Sequence, residues 1–270
     1  MAKRRNNRIY MAAGAIILVI VAIASYTLLS KDVLVNEDLR HLINADMDTF
    51  LAEYPFFSPS GNKIILEEGT YNFDETIIIP KGFSLDIEAG TTLRFGKDKS
   101  LVSYSPITAK GTEDNPIIFT SQNNVKWGSL GIVEAEKSIF DHVKFEYGKG
   151  TLVNNREFMG SMSLVESDVE ISNSQFSNLF GKDGVWALNS DVMIRNNIFN
   201  DILVDCLDLD NGSGEVSSNQ FINCGDEGID LSENDNVQVF GNVIINSGNG
   251  IDADANLEEI RKLNEIRRLS

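Results

Sequence analysis

The chain of 270 residues contains little cysteine, proline, histidine or basic charge. Its two cysteines are too few for a disulfide scaffold or a four-ligand zinc site. Its two histidines, His41 and His142, have no recognisable catalytic partner, so nucleophilic catalysis is poorly supported. The 23 lysines and arginines against 40 aspartates and glutamates give a formal charge of −17. This balance argues against a nucleic-acid-binding protein, because phosphates are bound mainly by lysine and arginine.

One long apolar segment lies near the N-terminus, over residues 9–29. It carries no charge and would be about 31 Å long as a helix, which matches a bilayer core. Four basic residues precede it: Lys3, Arg4, Arg5 and Arg8. The positive-inside rule therefore predicts that residues 1–30 are a cytoplasmic tip and a transmembrane signal anchor, with the rest of the chain at the cell surface or in the periplasm. The alternative is a signal peptide cleaved near Ala24, which would release a secreted protein.

The remainder of the chain is built on a repeat of 21–23 residues. The triplet Glu68-Gly69-Thr70 recurs as Ala89-Gly90-Thr91 and Lys110-Gly111-Thr112, and Asn197-Ile198-Phe199 recurs as Asn219-Gln220-Phe221 and Asn242-Val243-Ile244. Between these triplets apolar residues alternate with a period of two, and no helical pattern is long enough to cross over a sheet. Three short strands in each repeat predict one coil of a solenoid rather than a propeller blade.

Equivalent residues of successive coils should stack about 4.8 Å apart. Phe176, Phe199, Phe221 and Ile244 are then predicted to form an interior ladder. Asn197, Asn219 and Asn242 should lie at a bend, where asparagine tolerates the left-handed conformation and bonds to the backbone.

The repeat also divides the chain into segments. Residues 63–255 would hold eight or nine coils. Residues 31–62 are predicted to be a linker and a capping helix over 37–53, and residues 256–270 a C-terminal helix or cap. Residues 148–161 interrupt the period and are predicted to form a projecting loop.

Residues 63–120, with IILEEGTYNF, LDIEAGTTLRF and ITAKGTEDNPIIF, resemble the opening of right-handed parallel β-helix proteins of the pectate-lyase-like superfold. Residues 166–254 resemble the generic right-handed β-helix repeat. The resemblance implies an all-β, single-stranded, right-handed parallel β-helix. It implies no particular activity, since this fold carries lyases, hydrolases, epimerases, adhesins and spacers.

Strand alternation predicts an acidic outer surface on the later coils. Asp208, Asp230 and Asp252, which we call the aspartate column, recur every 22 residues in line with Trp186. Stacked carboxylates repel one another unless a cation lies between them, so the column predicts a calcium site. A sugar-binding face is the other functional interpretation, with Trp186 as a stacking platform beside two further aspartates, Asp210 and Asp254. A solvated acidic face that only favours solubility is the simpler alternative.

The preceding turn carries a second acidic column, Asp183, Asp205 and Glu227, followed by Asn249. The cysteines Cys206 and Cys224 fall in different columns and are predicted to be two buried small side chains, with a disulfide across adjacent coils left open.

The favoured function is a membrane-anchored, extracytoplasmic and non-catalytic protein that binds or organises carbohydrate at the cell envelope. Its partners would be the membrane, polysaccharide or envelope proteins, and no nucleic acid. One alternative is a polysaccharide lyase, glycoside hydrolase or epimerase that uses the same face, for example with Asp226 and Asp230 as acid and base. Another is a purely structural spacer or assembly protein. No catalytic residue is assigned.

Overall fold

The computed structural model describes residues 36–233, 236–254 and 257–267. The chain winds as a parallel β-solenoid in which each coil adds one strand to each of three sheets. We call these sheets I, II and III, in the order in which the chain visits them. Eight coils are complete, and one more strand on sheet II begins a ninth, so the predicted architecture is confirmed.

The strands of each coil follow in the order sheet I, sheet II, sheet III. Coils 1 to 4 comprise β2 (Lys63–Leu66), β3 (Thr70–Phe73) and β4 (Ile77–Ile79); β5 (Ser84–Ile87), β6 (Thr92–Phe95) and β7 (Leu101–Ser103); β8 (Ile107–Lys110), β9 (Ile117–Ser121) and β10 (Leu130–Val133); and β11 (Ser138–Asp141), β12 (Val143–Glu146) and β15 (Gly160–Val165). Coils 5 to 8 comprise β16 (Val169–Ser172), β17 (Gln175–Leu179) and β18 (Asp183–Leu188); β19 (Asp191–Arg195), β20 (Ile198–Ile202) and β21 (Asp205–Asp210); β22 (Ser213–Ser217), β23 (Gln220–Cys224) and β24 (Glu227–Ser232); and β25 (Asn236–Phe240), β26 (Val243–Ile245) and β27 (Gly250–Ala253).

The remaining elements lie at the ends of the solenoid and in one insertion. They are a 3-10 turn (Arg40–Leu42), α1 (Met47–Glu53) and β1 (Ser58–Ser60) before the first coil, the hairpin β13 (Thr151–Val153) and β14 (Arg156–Phe158) within coil 4, and α2 (Leu257–Lys262) and β28 (Glu265–Arg267) after coil 8. Within the described ranges, no helix has both the length and the apolar character to span a bilayer. The helix predicted over residues 9–29 lies outside those ranges.

A stack of aromatic rings fills the interior beneath sheet II. The rings of Phe119, Phe145, Phe176, Phe199 and Phe221 follow one another with centroids 4.6 to 5.0 Å apart. Ile244 continues the column, and all of these side chains are fully buried. The predicted ladder is confirmed, and it begins two rings earlier than the sequence repeat indicated. Parallel in-register pairing produces the stack because it places equivalent residues one strand spacing apart.

A buried asparagine ladder turns the chain from sheet I to sheet II. The Nδ2 of Asn219 donates to the carbonyl oxygen of Ile194 at 2.9 Å and to the Oδ1 of Asn242 at 3.0 Å. Asn264 extends the ladder by one step. The predicted bonding to the backbone is confirmed, but the left-handed residues are those just before the ladder, Asn196, Ser218 and Gly241. The residue before the ladder makes the corner, which leaves the ladder side chain free to point inward.

The N-terminal end of the solenoid is closed by aromatic side chains. Asp46 caps the N-terminus of α1, and its side chain accepts a hydrogen bond from the backbone N–H of Thr49 at 2.8 Å. Phe50, Tyr54 and Phe57, in and just after this helix, are buried in the main core. The single helix predicted over 37–53 is instead the 3-10 turn and α1. The apolar residues before α1 pack against the outer side of sheet III instead.

The insertion in coil 4 lies flat on the solenoid. Phe158 and Val153 of the hairpin β13–β14 are buried against Ile78, Val102 and Val133 on the outer side of sheet III. Leu39, Leu42 and Ile43 pack against the same cluster. The projecting loop predicted over 148–161 is therefore wrong, because the hairpin has its own apolar face to bury.

Sheet III is shaped to receive this hairpin. A Cβ added at Gly131 would lie 2.5 Å from the ring of Phe158, so only glycine leaves room for the ring. The backbone N–H of Glu37 donates to the carbonyl oxygen of Leu152 at 3.1 Å, which ties the N-terminal segment to the hairpin. The outer face of sheet III is thus covered in its first three coils.

Candidate functional site

The outer face of sheet III changes from apolar to acidic along the solenoid. Its central outward position is occupied, in coils 1 to 8, by Ile78, Val102, Gly131, Ser163, Trp186, Asp208, Asp230 and Asp252. The side chains on either side of this position point into the main core. The aspartate column is therefore in register on adjacent strands, as the spacing predicted, and it lies beyond the part of the sheet that the hairpin covers.

The structure does not support Trp186 as a stacking platform. Its side chain is only 6% exposed, and the indole Nε1 donates to the Oδ2 of Asp210 at 2.9 Å. The ring reaches from coil 5 to the neighbouring outer column of coil 6. A stacking platform needs an open ring face, so the ring in this position offers none.

The members of the aspartate column differ in their surroundings. Asp208 is 5% exposed, and its Oδ1 has no hydrogen-bond partner among the described residues. Burial, together with the charges of Asp210 and Asp230, raises the pKa of Asp208 to about 7. Burial and the charges of Glu227 and Asp252 also raise the pKa of Asp230.

The solvated part of the acidic face lies at its C-terminal end. Asp252 and Asp254 are exposed, and the Oδ2 of Asp254 accepts a hydrogen bond from the backbone N–H of Glu233 at 3.0 Å. The interpretation as a solvated acidic face therefore fits these two residues and does not fit Asp208.

The second acidic column lies where the chain turns from sheet II to sheet III. We call Asp183, Asp205 and Glu227 the corner column. Asp183 pairs in register with Asp205, and the Oδ1 of Asp205 accepts the backbone N–H of Glu227 at 2.8 Å. The Oε1 of Glu227 accepts from the Nδ2 of Asn249 at 2.6 Å. All three acidic residues are buried, which the sequence pattern alone did not indicate.

Asp183 is the most unusual member of this column. It is fully buried, and neither of its carboxyl oxygens has a hydrogen-bond partner among the described residues. Burial and the charge of Asp208 raise the pKa of Asp183 to about 8, while nearby Lys182 acts in the opposite direction. Burial and the adjacent Glu227 likewise raise the pKa of Asp205.

Three carboxylates converge at this corner. Asp205, Asp226 and Glu227 each place one oxygen so that all three atoms lie within 4.8 Å of one another. Oxygens that share one calcium ion at 2.3–2.6 Å are at most about 5.2 Å apart, so this set has the spacing of a cation site. Among the described residues, the carboxylates of the aspartate column do not converge in this way.

The position of Asp226 depends on the glycine before it. A Cβ at Gly225 would lie 2.0 Å from the carbonyl oxygen of Leu203 in the previous coil. A larger residue there would push the loop outward, so glycine allows the backbone to carry Asp226 close to the corner column.

A disulfide joins Cys206 and Cys224, with their Cα atoms 5.4 Å apart. The prediction of two unbonded buried side chains is therefore wrong. The separation of 18 residues is shorter than one coil, so the two cysteines do not lie in the same column. Cys224 pairs in register with Ile202, which lies just across the corner from Cys206. Sequence columns place residues along a sheet, but they do not show which columns face each other across a corner.

The two histidines lie outside the acidic site. His142 is at the corner between β11 and β12, where its Nδ1 is 3.1 Å from the Oδ1 of Asp141. His41 is in the 3-10 turn before α1. The titratable groups of the site are thus carboxyls, with Lys182 as a nearby cation.

Comparison with known families agrees with this architecture. The family model described as the right-handed β-helix region matches residues 107–262, more than half of the chain. The chain therefore belongs to the right-handed β-helix family. A search of curated proteins found no match. Family membership establishes the fold, whereas activity depends on the site that a particular member carries.

Proposed function

We propose that this protein is a membrane-anchored β-helix that binds or organises carbohydrate at the cell envelope, without catalysis. The basic residues and apolar run at the N-terminus support export with residues 9–29 as the anchor. The disulfide between Cys206 and Cys224 also supports an extracytoplasmic location, because disulfides persist mainly in oxidising compartments.

The uncovered acidic end of sheet III, in coils 7 and 8, is the observation that carries the binding proposal. The hairpin and the N-terminal segment cover the first three coils, whereas Asp230 is half-buried and Asp252 exposed in coils 7 and 8. Carboxylates accept hydrogen bonds from sugar hydroxyl groups, and such charge-assisted bonds are stronger than neutral ones. The negative charge of the face favours neutral or amine-bearing sugars over bare polyanions.

A binding screen tests this proposal. The full-length chain, purified in detergent, is applied to immobilised neutral, amine-bearing and acidic polysaccharides, with calcium and with a chelator. We expect retention on a neutral or amine-bearing polymer and reduced retention for the double variant Asp252→Asn/Asp254→Asn.

The matched control is Asp114→Asn, which removes one exposed charge in coil 3, far from the acidic face. Equal retention of the double variant and the wild type would contradict the assignment of the face. No retention on any polymer would favour the purely structural alternative.

Membrane anchoring is tested separately. The N-terminus of the mature protein is sequenced, and intact cells are treated with protease. A retained segment 9–29 with an accessible solenoid supports the anchor, whereas a chain that begins near Ser25 supports the secreted form.

A glycoside hydrolase is the second candidate, and the raised pKa of Asp208 is the observation that favours it. A carboxyl group with a pKa of about 7 is still partly protonated at neutral pH, and Asp210 and Asp230 lie nearby. This combination is typical of the acid and base of glycosidases. Release of reducing ends from a polysaccharide by the wild type, and its loss in Asp208→Asn, would support catalysis. Absence of product with every polymer that the protein binds would contradict it.

A further inference from the structure

We infer that Asp205, Asp226 and Glu227 form a divalent-cation site whose two halves are held together by the disulfide Cys206–Cys224. The site is distinct from the exposed carboxylates proposed to contact sugar, and it does not depend on that function. The convergence of the three oxygens within 4.8 Å matches the distances between ligands around one calcium ion. Calcium is favoured over magnesium because it accepts several carboxylates in flexible geometry.

The buried carboxyl of Asp183 is an independent indication of a ligand. It lies next to Asp205 in the parallel register and has no hydrogen-bond partner in the described part of the chain, although it is fully buried. Buried polar groups are almost always paired, so an unpartnered one requires an explanation, of which a bound ion is one. A cation bound beside Asp205 would also stabilise the ionised form of Asp183, which burial alone disfavours.

The hydrogen bonds already made leave oxygens available for the cation. Asp205 uses its Oδ1 for the backbone N–H of Glu227, and Glu227 uses its Oε1 for Asn249. The side chains of Asp205 and Glu227 also share a hydrogen bond, so a bound cation would replace the proton between them, while the first bonds fix the orientation of both carboxylates. Such orienting contacts are typical of metal ligands and their supporting groups.

The disulfide connects the two segments that carry the ligands. Cys206 directly follows Asp205 at the start of β21, and Cys224 ends β23, two residues before Asp226. The bond thus spans the corner between one ligand from coil 6 and two ligands at the turn into β24 of coil 7. It reduces the freedom of these segments to separate, and a preorganised site binds its ligand more tightly.

Calorimetric titration of the full-length chain in detergent tests the ligand set. Calcium chloride is titrated into chelator-treated protein at constant ionic strength, with magnesium chloride in a parallel run. We expect one calcium per chain, and calcium affinity reduced roughly tenfold or more in Asp226→Asn and in Glu227→Gln, since calcium affinity follows ligand charge.

Two controls distinguish this site from other acidic groups. Asp114→Asn removes an exposed charge elsewhere, and Asp252→Asn removes an exposed member of the aspartate column. Both should bind calcium like the wild type. An equal loss in Asp252→Asn would place the ion in the aspartate column and overturn the inference, as would the absence of calcium binding by the wild type.

Thermal unfolding of the wild type tests the same site without any substitution, so the result does not depend on whether a variant folds. Calcium should raise the midpoint at fixed ionic strength more than magnesium does, because a ligand that binds the native state stabilises it. Equal midpoints in calcium, magnesium and chelator would overturn the site without any substitution.

Reduction tests the role of the disulfide. A small dithiol such as dithiothreitol transfers two electrons and two protons to Cys206–Cys224, which gives two thiols and the cyclic disulfide of the reagent. We expect weaker calcium binding in the reduced protein, and the same weak binding in Cys206→Ser/Cys224→Ser with or without the dithiol. Unchanged affinity after thiol titration has shown complete reduction would overturn the disulfide's role and leave the ligand set intact.

Discussion

Replacement of Phe199 by alanine should reveal how much the interior ladder contributes to stability. The ring of Phe199 is fully buried between those of Phe176 and Phe221, with centroid distances of 4.7 and 4.9 Å. Alanine would remove both ring pairs and leave a cavity in the middle of the stack. Strands above and below pair through the backbone, so they cannot close the cavity without breaking the ladder of hydrogen bonds.

The expected loss follows from burial and stacking. Truncation of a buried phenylalanine to alanine costs about 3–5 kcal/mol through the transfer and cavity contributions. Each of the two ring pairs contributes about 0.5–1.5 kcal/mol beyond its buried area. The range for whole side chains already contains part of the ring-pair contribution, so we expect Phe199→Ala to lower the free energy of unfolding by about 4–5 kcal/mol, at the upper end of that range.

Urea unfolding of the full chain, followed by circular dichroism, measures this loss. The matched control is Ile198→Ala on the same strand, because Ile198 points outward and is 40% exposed. The control should change the free energy by about 1 kcal/mol or less, since Ile198 lies on the outer surface and its truncation leaves no enclosed cavity. Comparable losses in the two variants would refute the alternation of inward and outward side chains on β20.

Three further predictions concern the outer hairpin, the asparagine ladder and the buried carboxyls. Gly131→Ala should destabilise the chain by about 1–3 kcal/mol and expose the hairpin to limited proteolysis, because the added Cβ would collide with Phe158. Asn219→Ala should cost about 1–3 kcal/mol in urea unfolding, since a buried backbone carbonyl loses its donor. In chelator, thermal stability should fall as the pH rises from about 4 to about 8, because the native state holds protons on Asp183 and Asp208 that the unfolded chain has released. Asp183→Asn should flatten this pH dependence, and an identical profile for the variant would contradict the burial of a raised-pKa carboxyl.

The repeat in the sequence determined the solenoid and much of its interior. A spacing of 22 or 23 residues between Asn197, Asn219 and Asn242 is enough to predict their stacking, because parallel strands in register bring equivalent residues together. The same reasoning correctly aligned Phe199 with Phe221 and Asp208 with Asp230. The period is visible in the sequence because each coil repeats the same order of strand and turn residues.

The positions of side chains that do not follow the repeat could be established only from the tertiary structure. Phe158 and Val153 follow no column, and only the folded chain shows that they cover the outer side of sheet III. Trp186 falls in the outer column that the repeat predicted, yet its indole bends toward Asp210 and is buried. A column predicts on which side of a strand a residue lies, whereas burial also depends on neighbours from other columns.

The acidic site shows the same division most clearly. The sequence by itself determined that carboxylates recur at the start of β21 and β24 and along the outer face of sheet III. Only the tertiary structure decided that Asp226 converges with Asp205 and Glu227, and that Cys206 bonds to Cys224 across the same corner. The physical reason is that the angle and path of the chain at a corner are set by backbone contacts between coils, such as the close approach of Gly225 to Leu203. Those contacts join residues that the repeat assigns to different columns, so no spacing in the sequence encodes them.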